Sequence, residues 1–198
     1  QSDVSNAVAA KQLASELRAV QPKAVQSKAV QSIPAQRGQG LPYEMLGSEV
    51  WDITDPKSKR VYQIFVALPK SYQDQPNRRY PVLYVTDADY AFPLIRQIAR
   101  RLNGDGPAIS DFILVGLSYA KGDDAMASRR RDYTPTVNGA VGAPKEAIHG
   151  ESQAYIGYLP QHVLPFVAAT YRTDEQQRLF LGHSYGALLG FDILFTQP

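Results

Sequence analysis

The pattern of apolar and polar positions changes character near Leu46, and from there the chain reads as strands and helices. Glu49 to Thr54 and Val61 to Leu68 are strand-like runs on either side of Asp55-Pro56-Lys57-Ser58-Lys59, a turn-rich connection that predicts an antiparallel hairpin. Pro81 to Thr86 and Phe112 to Leu117 are continuous apolar runs, as expected of strands covered on both faces. Helices are predicted over Phe92 to Leu102 and Ser152 to Tyr171, and the polar, glycine-containing stretch from Ser118 to Glu151 reads as a long loop. A last apolar run, Arg178 to Leu181, enters Gly182-His183-Ser184-Tyr185-Gly186 and continues as an apolar, helix-length segment. A leading hairpin followed by alternating strands and helices predicts an α/β fold built on a mainly parallel sheet with an antiparallel edge. Ligands of such sheets lie at the carboxyl ends of the strands. Asp87 to Ala91, the loop after Leu117 and Ser184 are therefore expected to converge.

The Gly-x-Ser-x-Gly stretch has the strand, sharp turn and helix order of a nucleophile elbow. A serine held at the tip of a strained turn needs small neighbours two residues away on each side, because other backbone passes close by there. Gly182 and Gly186 meet that need.

Composition narrows the choice of chemistry. The 198 residues are 44% hydrophobic, enough for one domain with a real core and a tail. A net charge of +2, with basic residues scattered apart from Arg129-Arg130-Arg131, gives no sign of a nucleic-acid partner. No apolar run has the length of a membrane span. The absence of cysteine excludes disulfides, thiolate catalysis and cysteine-ligated zinc, and nothing in the sequence calls for a metal or other cofactor. Residues 1–40 are rich in Gln, Ala, Ser and Lys and contain a short Ala-Val-Gln tandem, so they read as a flexible segment or linker ahead of a domain over 41–198. A short helix is expected over Asn6 to Val20. A chain beginning at Gln1 fits an exported protein whose signal peptide has been removed, placing it in the periplasm or outside the cell.

Three blocks together carry a resemblance: Tyr80-Pro81-Val82-Leu83-Tyr84-Val85-Thr86-Asp87, Arg129-Arg130-Arg131-Asp132-Tyr133-Thr134-Pro135, and Tyr171-Arg172-Thr173-Asp174 leading into Gly182-His183-Ser184-Tyr185-Gly186. Over Leu46 to Pro198 the chain resembles the esterase family of α/β-hydrolases that includes enterobactin- and salmochelin-type siderophore esterases, S-formylglutathione hydrolases and mycolyl transferases. The Arg-Asp-Tyr-Thr-Pro block is most similar to the siderophore-esterase branch. The resemblance implies a serine esterase with Ser184 as nucleophile and a ferric siderophore trilactone as substrate. The backbone N–H of Tyr185, at the start of a helix, and that of Ala88 or Asp89 would hold the oxyanion. Relatives often carry Asp-Gly where this chain has Asp87-Ala88. By the same resemblance one of Arg129, Arg130 and Arg131, with Arg131 favoured, binds the anionic or catecholate substrate, while Asp132 and Tyr133 anchor their loop.

The base is the gap. A serine hydroxyl needs a base to become nucleophilic, and in this fold the order along the chain is Ser, acid, His. None of the three histidines follows Ser184. His183 reads as part of the turn's packing, His162 as a structural residue on its helix, and His149 as a loop residue that could approach the site but is not favoured as the base; Asp192, on the elbow helix, is a poor candidate for the acid. The expectation is thus of the N-terminal portion of a hydrolase whose sheet continues, with the histidine, beyond Pro198. Other readings are a carbohydrate-ester or thioester hydrolase, a hydrolase-like module without a base, and, from Asp87-Ala88-Asp89 after a buried strand, a magnesium-dependent phosphatase. Tyr155, Tyr158 and Tyr171 read as core.

Overall fold

The computed structural model describes residues 42–104, 106 and 108–196; the linker and helix expected over residues 1–40 lie outside them. Five strands form one sheet in the order β1-β2-β4-β3-β5: β1 Ser48–Thr54, β2 Val61–Ala67, β3 Tyr80–Val85, β4 Ile113–Ala120 and β5 Thr173–Leu181. β1 and β2 form the expected hairpin, β2 also pairs antiparallel with β4, and β4, β3 and β5 run parallel. The hairpin turn is held by Asp55, whose carboxylate accepts from the Lys57 and Ser58 N–H groups and the Ser58 hydroxyl.

Strand periodicity divides the core between the two faces. Tyr62, Ile64 and Val66 of β2, Val82 and Tyr84 of β3, and Ile113, Val115 and Leu117 of β4 are buried on one side with Tyr133, Tyr155, Tyr158, Val163, Val167 and Leu189. Phe65, Leu83, Val85 and Leu114 point the other way and meet Ala88, Ala91, Phe92 and Ile95 of helix α1, Ala88–Leu102. Gly116 of β4 lets α1 settle closely, since a β-carbon there would lie 2.8 Å from that of Ala88.

Four elements differ from the sequence reading, each for a local reason. Helix α1 begins at Ala88 rather than Phe92, with Pro93 accommodated inside it. The stretch expected to be loop contains helix α2, Ala125–Tyr133, capped by Asp124, whose carboxylate accepts from Met126 N and Ala127 N. Its Ala-Met-Ala-Ser-Arg-Arg-Arg-Asp-Tyr sequence has no apolar stripe, so periodicity could not find it. The helix expected over Ser152 to Tyr171 is broken into α3, Ser152–Tyr158, a wide π turn over Leu159–Val163, and α4, Leu164–Thr170. Pro160 and Pro165 each remove a backbone donor and widen the winding. β5 is longer than the apolar run that announced it, because Thr173 already pairs with Tyr80 of β3, ahead of an irregularity after which Arg178 to Leu181 pair with Val82 to Val85. Helix α5, Tyr185–Thr196, completes the described elements.

β5 forms an edge among the described strands, and Leu179, Leu181, Phe191, Leu194 and Phe195 on β5 and α5 are exposed. No described helix is long and apolar enough to cross a membrane.

Candidate active site

The parallel strands β4, β3 and β5 end side by side, and the segments that follow them meet there, as the crossover pattern requires. The Thr86 N–H donates to Leu181 O at 3.1 Å, which ties the end of β3 to the end of β5. Between β5 and α5 the chain turns sharply through Ser184, which has φ +56° and is exposed. For a residue with a β-carbon this left-handed conformation is strained. The flanking glycines make the turn possible. A β-carbon on Gly182 would run into the Gly186 carbonyl and lie 2.7 Å from Ala187 N, and one on Gly186 would run into the Thr86 hydroxyl. Backbone bonds from Gly186 N to His183 O and from Leu188 N to Ser184 O start α5 immediately after the serine. The Tyr185 N–H, in the first turn, has no carbonyl partner within the helix.

The second segment is Asp87 to Asp89. Asp87 is also left-handed, with φ +56°, and is completely buried. Its Oδ1 lies 2.6 Å from Arg129 Nε and accepts from the Tyr119 hydroxyl at 2.8 Å. Burial first, and then this bond to a carboxylate, push the Tyr119 phenol above its ordinary pKa, so it stays a donor. The following residue, Ala88, is wholly covered, whereas Asp89 is exposed and accepts from the Ser118 hydroxyl. The three segments predicted to converge therefore do so.

The three adjacent arginines are separated by helical winding, which turns successive side chains about 100° apart. Arg129 reaches Asp87, places Nη2 3.5 Å from His183 O, and covers the Tyr185 ring at 5.4 Å. Arg130 is half-buried. Arg131, the substrate contact favoured from the resemblance, is instead buried: its Nε and Nη2 meet both oxygens of Asp132 at 2.8 Å, and Nη1 meets Asp123 at 2.6 Å. Burial works against its charge, but these carboxylates outweigh it and raise its pKa. Asp132 also accepts from Tyr62 and Ser128, so this pair anchors α2 to the sheet.

Among the described residues no side chain hydrogen-bonds the Ser184 hydroxyl, the histidines included. His149 has Nδ1 3.1 Å from Ala147 O and its ring packed where a β-carbon of Gly139 would be. His162 stacks on Tyr158 at 5.7 Å. His183 is exposed beside the serine. Asp192 accepts from Ser152 and Gln153, tying α3 to α5. The Asp87 and Asp89 pair behind the phosphatase reading is already engaged, Asp87 by a cation and Asp89 by a hydroxyl, and no described cluster of three or more His, Cys, Asp or Glu side chains has the form of a metal site. Sequence reasoning missed Tyr119 and the Asp87–Arg129 pair; nothing local marks one arginine of three.

A mixed sheet with helices on both faces and a serine in the tight turn after β5 defines an α/β-hydrolase-like fold. The chain belongs to the esterase family described as "Putative esterase", whose model matches residues 56–196. It is 25% identical over 169 residues to the ferri-bacillibactin esterase BesA of Bacillus subtilis, covering 81% of this chain and 57% of that protein. To the siderophore enterobactin esterase of Emericella nidulans it is 27% identical over 160 residues, covering 75% and 52%. The solved structure of the siderophore hydrolase EstA from Aspergillus nidulans has the same fold, with a TM-score of 0.66 at 24% identity over 80% of this chain and 56% of that one. The chain thus spans about half the length of the curated relatives it matches.

Proposed function

We propose that this chain carries the nucleophile of a serine esterase that hydrolyses carboxylic esters, with iron-siderophore lactones as the substrate class. The observation that carries the reading is Ser184, exposed in a left-handed turn between β5 and α5 with a free helix-start amide beside it. The turn is a nucleophile elbow in this reading. The relatives' activities as siderophore esterases favour siderophore esters over carbohydrate esters or thioesters.

The Ser184 Oγ forms a bond to the ester carbonyl carbon while its proton passes to a base. Negative charge gathers on the carbonyl oxygen, where the Tyr185 N–H and an amide of the Ala88–Asp89 turn donate to it. Collapse breaks the bond to the alkoxide, which takes the proton back from the base, and water then releases the acyl group by the same steps in reverse order. A histidine outside this chain fills the base's role, consistent with the partial coverage of the relatives. A periplasmic or secreted location would bring the enzyme to an exported siderophore.

The test compares wild type with Ser184→Ala in the full-length protein, using a p-nitrophenyl butyrate ester and a ferric trilactone, with fluorophosphonate labelling alongside. Loss of turnover by about 10³-fold or more, together with loss of labelling, supports the esterase. Turnover that survives the substitution overturns the mechanism, and absence of both signals in wild type favours the module without a base.

A further inference from the structure

Arg129 is one of the three arginines among which a substrate contact is sought, yet its side chain is only 12% exposed and its guanidinium is engaged by the chain itself. It pairs with Asp87 at the end of β3, approaches the His183 carbonyl just before the serine, and covers the ring of Tyr185 just after it. These contacts bridge the two backbone segments proposed to hold the oxyanion, Asp87–Asp89 and Ser184–Tyr185. We infer that Arg129 is a positioning residue, whose ion pair with Asp87 clamps the Ala88–Asp89 turn against the Ser184 turn.

Three features argue for a clamp over a substrate contact. Asp87 is completely buried, and a buried carboxylate needs a cation more than a surface arginine needs a ligand. An anionic substrate would have to take Arg129 from that partner and leave the charge unpaired. Second, Asp87 lies against the start of α5, with Oδ2 3.2 Å from where a β-carbon of Gly186 would sit. Without Arg129 that negative charge would stand beside the helix terminus where the oxyanion forms, and would oppose it. Third, both Asp87 and Ser184 hold left-handed backbone that the surroundings must enforce. Tyr119 and Thr86 brace the same carboxylate, so Asp87 is the node and Arg129 its link to the second segment.

The inference rests on the esterase reading for its chemical consequence but not for its structural one, and the experiment separates them. In the full-length protein, amide hydrogen exchange is followed over residues 86–92 and 182–188 for wild type, Arg129→Met, Asp87→Asn and the double variant. The double variant, with both charges removed, covers the case in which Arg129→Met alone does not fold. Loss of the clamp should speed exchange in both segments by about tenfold or more, with the double variant no worse than the poorer single one. On p-nitrophenyl butyrate, a neutral ester, kcat should fall by about 10–100-fold with KM within about twofold, and Arg129→Lys should restore part of it. Unchanged exchange in both segments overturns the clamp whether or not the protein is an esterase. Normal kcat on the neutral ester with a raised KM for a carboxylate-bearing ester would make Arg129 a substrate contact and overturn it as well. Turnover independent of Ser184 defeats only the esterase reading, and the exchange result still decides the clamp.

Discussion

A β-carbon placed on Gly186 would run into the hydroxyl of Thr86 and come within 3.1 Å of the Thr86 β-carbon, so the helix after Ser184 rests directly on the end of β3. This contact sets the distance between the two turns of the candidate site. Gly186→Ala should therefore displace one turn from the other and destabilise the protein by about 1–3 kcal/mol, as overpacking does. Gly182→Ala faces backbone instead of a side chain and should cost at least as much. Thermal melting measures both, and a change under about 0.5 kcal/mol in either would contradict the packing described.

The left-handed backbone at Ser184 separates stability from activity. Ser184→Gly removes the β-carbon that strains this turn, whereas Ser184→Ala keeps it. Both should be inactive as esterases, and the glycine variant should melt higher than the alanine variant by about 1 kcal/mol. Equal stability of the two would mean that the turn is unstrained.

Arg131 and Asp132 are predicted to act on folding. Asp132→Ala leaves the buried Arg131 with Asp123 alone at hydrogen-bonding distance, which should cost about 3 kcal/mol. Denaturant unfolding reads the loss, and KM for a neutral ester should be unmoved in whatever fraction stays folded. A raised KM with unchanged stability would instead put Arg131 at the substrate.

Acid should weaken the hairpin. Burial opposes the Asp55 charge, but bonds from the Ser58 hydroxyl and the Lys57 and Ser58 N–H groups hold its pKa below the usual carboxylate value. Its stabilisation is thus complete above the unfolded value of about 3.9 and is lost as pH falls through the lower folded value. Asp55→Asn should lower stability by about 1 kcal/mol at neutral pH and shrink the difference from wild type in acid.

Alkali should act on the other side of the curve. Tyr62, Tyr133, Tyr155 and Tyr158 pack ring to ring, and burial foremost raises each phenol above its ordinary pKa. Folding stability is then fully present below the unfolded value of about 10 and lost as pH rises beyond it. Tyrosinate absorbance should show these rings ionising together with unfolding, and gradual ionisation in the folded state would contradict their burial.

The strands were legible because each announces itself locally. Val82 to Val85 and Ile113 to Leu117 are apolar whichever way their side chains alternate, as burial on both faces demands. Ser184 was legible for a related reason, since its two glycines answer to a steric need within five residues. Helix α2 was not, because it is held by the Asp124 cap and by buried ion pairs and lacks an apolar stripe. The break at Leu159–Val163 had its signal in Pro160 and Pro165, which a reading by apolar spacing passed over.

What the sequence by itself determined is the succession of strands and the strained serine between β5 and α5, both products of interactions between near neighbours. Only the tertiary structure decided which arginine meets Asp87 and which is committed to Asp132. The Asp87–Arg129 pair joins residues whose separation is bridged by a helix, a strand and a turn, whereas Arg131 and Asp132 are neighbours in the chain, and winding along α2 sends identical side chains to different partners. Charge pairing over such distances depends on where the backbone delivers each group, and that is fixed when the sheet and its helices pack together.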